Sequence, residues 1–236
     1  MNSPTLNSPA ILADLSGLDT GTALVDPVEA EQEQWHRQRS GRFTCSQFGE
    51  LANSGRGKDE PWSQTAWNYL YQIAAERCGS FSFEFHSRPT QWGKENEPQA
   101  IVEYSVAHPP EGKCVAGAAA WCEVDEWIGG TPDALLGADG CLEVKCPYSP
   151  AEHMGYVYKN KVPDKYQWQV IGHLFVTGRQ WCDFVSFDPR IPAENPHRML
   201  VVRTLRDDVV GQIDWLHKRL VHAKEVVQQI IAKQHN

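Results

Sequence analysis

The sequence predicts a mixed α/β protein in which a small mixed β-sheet is flanked by helices. Three observations carry this. Apolar residues recur at helical spacing up to about residue 107 and again after about residue 207. Between these regions, Val115–Val124, Trp127–Leu136 and Cys141–Lys145 are short β-rich runs joined by turns containing glycine and aspartate. A helical stretch over 164–178 then interrupts the strand series before two further β-rich runs. Strands and helices mixed in this way build one layered core.

Taken in order, residues 1–26 are rich in Ser, Asn, Pro, Gly and Thr and read as a loosely ordered N-terminal arm, in which Leu12, Leu15 and Leu18 can dock one apolar edge. Residues 27–236 read as a single domain. The stretch 28–39 is expected as a helix, acidic at its start and basic at its end, as the helix dipole favours. Thr44 is expected to cap a short helix through about Ala52, with Gln47 at the third position. Asn53–Pro61 is a loop. Trp67, Leu70, Tyr71 and Ala74 fall at helical spacing within 62–78. After an aromatic connector, 91–107 reads as a helix whose Pro98 must lie in its first turn or kink it. In the helix over 164–178, Tyr166, Val170, Ile171 and Leu174 share one side. Trp181–Phe187 and Met199–Leu205 complete the strands, and an amphipathic helix from about Asp207 to Lys233 closes the chain. There is no internal repeat.

The composition excludes several classes. The chain has 236 residues, 41% apolar and 22% charged. It holds no apolar run near the roughly 18 residues of a membrane helix, and it is neither fibrous nor disordered in composition. A net charge of -8 argues against a protein that coats nucleic acid non-specifically, although an enzyme whose acids hold metal stays compatible with it. Seven scattered cysteines form no CxxC pair, which suits buried packing better than structural zinc. Nine histidines without an HxxxH or HExxH arrangement disfavour zinc hydrolysis, and no Walker loop points to ATP. The start, MNSPTLNSPAILADLSG, does not read as a signal peptide, so a reducing cytoplasm is expected.

Chemistry is concentrated in GGTPDALLGADGCLEVKCP, Gly129–Pro147. Period-two alternation puts Glu143 and Lys145 on one face of a strand, and a hairpin turn at Gly137–Gly140 can bring Asp133 opposite them. Two carboxylates held together repel unless a cation lies between them, and oxygen donors select a hard ion such as magnesium. The lysine can polarise a water or neutralise charge in the transition state, which suits metal-assisted phosphodiester hydrolysis. An ordinary cross-strand ion pair is the competing reading, and the spacing alone leaves both open.

The Pro132-Asp133 … Glu143-Val144-Lys145 pattern resembles the PD-(D/E)xK nuclease core. The surrounding words resemble the phage lambda exonuclease (YqaJ-type viral recombinase) family in four blocks: WHRQRSGRFTCSQFGEL from Trp35, WGKENEPQAIVEY from Trp92, GGTPDALLGADGCLEVKCPYS from Gly129, and YQWQVIGHLFVTGRQWCDFVSFDPR from Tyr166. They fall in the family's order over roughly two thirds of the chain.

The resemblance implies roles. Glu97, otherwise an acid favoured in a helix's first turn, matches the helix carboxylate that completes the metal site. Asp133 and Glu143 match metal ligands, with the Val144 carbonyl as a further one, and Lys145 matches the catalytic lysine. Gln169 matches a glutamine beside the nucleophilic water, and a helical wheel sets it with Lys165 and His173, off the apolar side. Arg39 matches an arginine in a pocket for the DNA 5′-phosphate, with Ser46 as a hydroxyl joining it. A planar guanidinium suits phosphate, but Arg37 and Arg42 lie near enough to serve instead. Trp35 reads as a packing residue. Lys159, Lys161 and Lys165 interleave with Tyr156, Tyr158 and Tyr166, either as a path for a nucleic-acid backbone or as a plain solvated loop. Arg56 and Lys58 are further basic residues that can touch a duplex.

The resemblance thus implies a magnesium-dependent exonuclease, with manganese as a substitute. It would degrade linear double-stranded DNA from 5′ ends, release mononucleotides and leave 3′ single strands. The family adds a homotrimeric ring and a single-strand annealing protein as partner in phage recombination, with no membrane. The rivals are an endonuclease of the same fold and a non-catalytic DNA-end binding protein.

Overall fold

The computed structural model describes residues 27–55, 60–80, 87–109, 114–116 and 120–233. The expected N-terminal arm, Arg56 and Lys58 lie outside the described residues. Helix α1 (Pro27–Arg39) leads through a two-residue strand β1 (Phe43–Thr44) into a 3₁₀ turn over Cys45–Leu51. Helix α2 (Gln64–Arg77) starts on Ser63, whose hydroxyl accepts the Ala66 amide, and α3 (Arg88–Ala107) starts likewise on Ser87 and Thr90. Strands β2 (Cys114–Ala116), β3 (Cys122–Asp125), β4 (Ile128–Gly130), β5 (Ala134–Leu136) and β6 (Gly140–Lys145) follow. Then come α4 (Pro150–Lys159), α5 (Asp164–Thr177), β7 (Trp181–Phe187), β8 (Met199–Leu205) and α6 (Val210–Ala232).

Strands of the described residues form the expected small mixed sheet and a second, three-stranded one. The larger has the order β2-β5-β6-β7-β8, with only β6 and β7 parallel; the smaller is β1-β4-β3. The expected Trp127–Leu136 strand is broken at Thr131–Asp133, where Pro132 has no amide hydrogen to give a ladder. β4 accordingly pairs with β1 and β3, while β5 pairs with β2 and β6. The parallel β6–β7 step needs a crossover, which α4 and α5 supply.

Alternation along β6 decides what each face meets. Leu142 and Val144, with Val185 and Phe187 of β7, pack beneath Ala100 and Tyr104 of α3. Cys141, with Cys182 and Phe184, faces the other way into the main core with α2, α5 and α6. Glu143 and Lys145 share that second face. Buried Asp183 on β7 accepts two bonds from Arg203 at 2.8 Å and one from Tyr104 at 2.6 Å, which ties α3 to the sheet. Gly172 lets α5 lie directly on the 3₁₀ turn: a Cβ there would come within 2.6 Å of the Phe48 ring.

Several local expectations differ from the structure. Thr44 stands at the N-cap position of the expected short helix, which is 3₁₀ over Cys45–Leu51, but its side chain makes no capping bond. Pro98 sits in the interior of α3, since Ser87 and Pro89 start that helix earlier than expected. On α2, Tyr71 is exposed and stacks on Trp67, while Tyr69, Leu70 and Ile73 are buried. Among the described residues no helix is long and apolar enough to cross a membrane.

Candidate active site

The C-terminal half of β6 gathers the predicted acids. Antiparallel pairing sets Ala134 opposite Leu142, so Asp133 falls alongside Glu143 and Val144. Its amide donates to the Leu142 carbonyl at 3.0 Å, and its Oδ2 accepts the Val144 amide at 2.6 Å. Glu143 is fully buried. Its Oε1 accepts from the Lys145 ammonium, and its Oε2 accepts from His173 Nε2 at 2.6 Å. Lys145 lies 5.2 Å from the centre of the Tyr166 ring. Glu97 approaches from α3. A cleft of about 340 Å³ opens beside them, lined by Glu97, Val144, Lys145, Tyr148, Lys165 and Tyr166 among others.

The charges explain one another. Burial, then Glu143 and Glu97, push the Asp133 carboxyl well above its ordinary range. Burial also raises Glu97; Lys145 opposes this and Glu143 adds to it. Burial acts on Glu143 in the same direction, but Lys145 and His173 hold it down at about 2. Burial works to lower Lys145, yet Glu143 and Asp133 keep it above its ordinary value, so it is charged at neutral pH. Three acids therefore gather about Lys145 and His173, and a further cation beside Asp133 and Glu97 would favour their charged forms. Carboxylate and carbonyl oxygens are the donor type that a hard divalent ion takes. Among the described residues no three His, Cys, Asp or Glu side chains already stand together as ligands. Lys145 and His173 occupy the Glu143 oxygens, so an ion would compete with Lys145 for Glu143.

On α5, Tyr166, Gln169 and His173 are spaced by three and four residues and share a face. Tyr166 lines the cleft and His173 bonds Glu143, so half-buried Gln169 is set between them. Sequence reasoning puts His173 on this face without giving it a role. It also passes over Thr131, whose Oγ1 is buried without a hydrogen-bond partner two residues before Asp133.

The first block folds into a second cluster. Arg39 ends α1, and its Nη2 donates to Ser46 Oγ at 2.6 Å and to Thr44 Oγ1 at 3.2 Å. Thr44 is fixed by its amide, which donates to the Tyr69 hydroxyl at 3.0 Å, so its side chain serves Arg39 instead of a helix cap. The guanidinium lies 4.4 Å from the Trp35 ring, which makes Trp35 a packing partner. Arg37 pairs with Glu33, and Arg42 with Glu123. Burial pushes the Cys45 thiol up; Arg39 opposes this and Glu143 adds to it, so Cys45 lies within reach of both clusters. The basic-aromatic run divides: Lys165 and Tyr166 line the cleft, Lys161 pairs with Asp164, and Tyr158 points outward.

The class of protein is defined by the strand at the centre of this arrangement. A mixed sheet that delivers a Glu-x-Lys pair at the end of β6, with Asp133 bonded across to it, is a PD-(D/E)xK nuclease core. The YqaJ-like viral recombinase domain matches residues 34–180, and the chain belongs to that family. Its fold is similar to that of an alkaline exonuclease, LHK-Exo, from Laribacter hongkongensis. The TM-score is 0.69 at 24% identity over 84% of this chain and 95% of that one. LHK-Exo in complex with dAMP gives 0.66 at 25% identity over the same shares. A phage related exonuclease from Haemophilus somnus 129PT gives 0.61 at 19%, over 84% of this chain and 98% of that one. No curated protein matches the chain in sequence.

Proposed function

We propose that the protein is a magnesium-dependent exonuclease that degrades linear double-stranded DNA from 5′ to 3′, releasing mononucleotides and leaving a 3′ single strand. The observation that carries this is the convergence of Asp133, Glu143 and Lys145 at the end of β6, with Glu97 arriving from α3. Magnesium, or manganese in its place, held by Glu97, Asp133, Glu143 and the Val144 carbonyl, would supply Lewis-acid stabilisation of charge developing on the phosphate. Lys145 stays protonated beside its carboxylates, so it acts as a fixed positive charge toward the scissile phosphate rather than as a base. Gln169, set between Tyr166 and His173, orients the attacking water through its amide. Arg39 and Ser46 grip the 5′-phosphate, which selects ends and sets polarity. LHK-Exo, 25% identical, is found in complex with dAMP, a deoxynucleoside monophosphate of the kind we assign as this protein's product.

The family resemblance also leads us to assign a homotrimeric ring, cytoplasmic action in phage recombination and a single-strand annealing partner. Enclosing DNA would let a few inward-facing bases hold it despite a net charge of -8. A mass measurement in solution checks the ring.

The test is digestion with magnesium of a linear duplex phosphorylated at one 5′ end, beside a closed circle, an EDTA control and Lys145→Ala. The phosphorylated strand should shorten from its end while the circle stays intact, and EDTA should stop the reaction. Lys145→Ala should lose at least about 100-fold in rate while still binding DNA. A nicked or cut circle points to the endonuclease, and no cleavage of any substrate points to an end-binding protein.

A further inference from the structure

We infer that His173 is a positioning residue: it fixes the plane of the Glu143 carboxylate and thereby sets how tightly the site holds a divalent cation. This rests on the proposed metal-holding role of the acid cluster. Glu143 is 0% and His173 1% exposed, so neither can exchange its partner for water. Lys145 holds Oε1 and His173 Nε2 holds Oε2 at 2.6 Å. Lys145 is a flexible four-carbon arm, whereas the imidazole is short, planar and packed on α5. α5 is itself fixed, with Gly172 against Phe48. Without His173 the carboxylate would keep one mobile partner and could turn.

The other buried histidine shows what an ordinary core role looks like. His153 bonds through both ring nitrogens, to Ser186 Oγ at 2.8 Å and the His197 carbonyl at 2.7 Å. His173 leaves Nδ1 buried without a partner and makes its single side-chain bond to the carboxylate. Packing alone would not call for an imidazole there. Groups that hold a ligating carboxylate in this way typically change metal affinity about 10- to 100-fold when removed.

The test is calorimetric titration of the whole, DNA-free protein with magnesium and with manganese, comparing the parent, His173→Gln and His173→Asn. Glutamine can place its amide where Nε2 stands; asparagine is too short to reach. His173→Asn should bind both ions about 10- to 100-fold more weakly, and His173→Gln should stay within roughly threefold of the parent. His173→Asn should also melt lower in EDTA, since it leaves a buried carboxylate oxygen without its partner. Duplex binding in EDTA should be near parental for both, which shows that the fold persists. A merely structural role would not split metal affinity between the two variants. Parental metal affinity in His173→Asn, or equal weakening in the two variants, overturns the role of His173. No uptake of either ion by the parent overturns the metal site itself, which is a different failure.

Discussion

Under the proposed function, Arg39 is the single side chain that carries the preference for one kind of DNA end. Ser46 and Thr44 present hydroxyls to one edge of its guanidinium, and Trp35 lies against its face, so the fork is held before any phosphate arrives. A hydrogen bond to a charged group contributes about 1.5–3 kcal/mol, which corresponds to roughly 10- to 100-fold in binding. Arg39→Ala should therefore lower the rate on 5′-phosphorylated ends by about that factor and leave 5′-hydroxyl ends unchanged. Arg39→Lys should recover only part of it, because an ammonium lacks the two-pronged geometry. Paired duplexes that differ only at the end group measure the ratio, and an unchanged ratio in Arg39→Ala would remove the pocket assignment. The pairing of Arg39 with Ser46, and of Asp133 with the strand that carries Glu143, follows from the family resemblance because each residue sits in a short word whose neighbours fix its register. The pairing of His173 does not. Its partner Glu143 lies thirty residues earlier, and a helical wheel gives the face of a residue without saying which strand that face meets.

The two clusters are coupled through α5 and the 3₁₀ turn, elements joined by a glycine. Gly172→Ala puts two opposing effects on the same helix. Alanine is favoured over glycine in a helix by about 1 kcal/mol. Its Cβ, however, would come within 2.6 and 2.9 Å of Phe48 ring carbons and 3.3 Å of the Cys45 Cβ. Phe48 is fully buried and cannot swing into solvent, and overpacking of this kind typically costs about 1–3 kcal/mol. Net destabilisation of about 1–2 kcal/mol is expected in urea unfolding, with hydrolysis reduced because Gln169 and Ser46 ride on the two elements pushed apart. A stabilised variant would mean that the contact has room to relax. Strength of patterning decides which elements can be read from sequence. Trp181–Phe187 and Met199–Leu205 are continuous β-rich runs, and both strands have the expected bounds. Trp127–Leu136 looks equally continuous, but Pro132 divides it between two sheets, and pairing partners are invisible to local pattern. The short helix after Thr44 is legible in sequence because Thr44 has the residue type of a cap, but its hydroxyl is engaged by Arg39 and makes no cap bond in the fold.

For the molecule as a whole, the acid cluster sets function against stability. A carboxyl raised above its ordinary value favours folding below that value, and the advantage is lost as pH rises through the raised one. Asp133 and Glu97 are both raised, by burial first and then by neighbouring carboxylates, so above the ordinary carboxylate range both weigh against the metal-free fold. Asp133→Asn removes one charge from this group and keeps a carbonyl oxygen to accept the Val144 amide. In EDTA at about pH 7.5 it should melt above the parent, by about 2–4 °C for each kcal/mol relieved in a chain of this size. Magnesium should reverse the order. An ion present at about 100 times its dissociation constant stabilises the parent by about 2.7 kcal/mol, whereas the asparagine variant, with one fewer charged ligand, should gain much less. Melting curves of both proteins with and without magnesium give four temperatures, and the prediction is that their ranking crosses. A variant that melts below the parent in EDTA would show that the charged bond from Asp133 to Val144 outweighs the repulsion. Parallel shifts on adding magnesium would show that Asp133 does not contribute to ion binding, whatever its place beside Glu143.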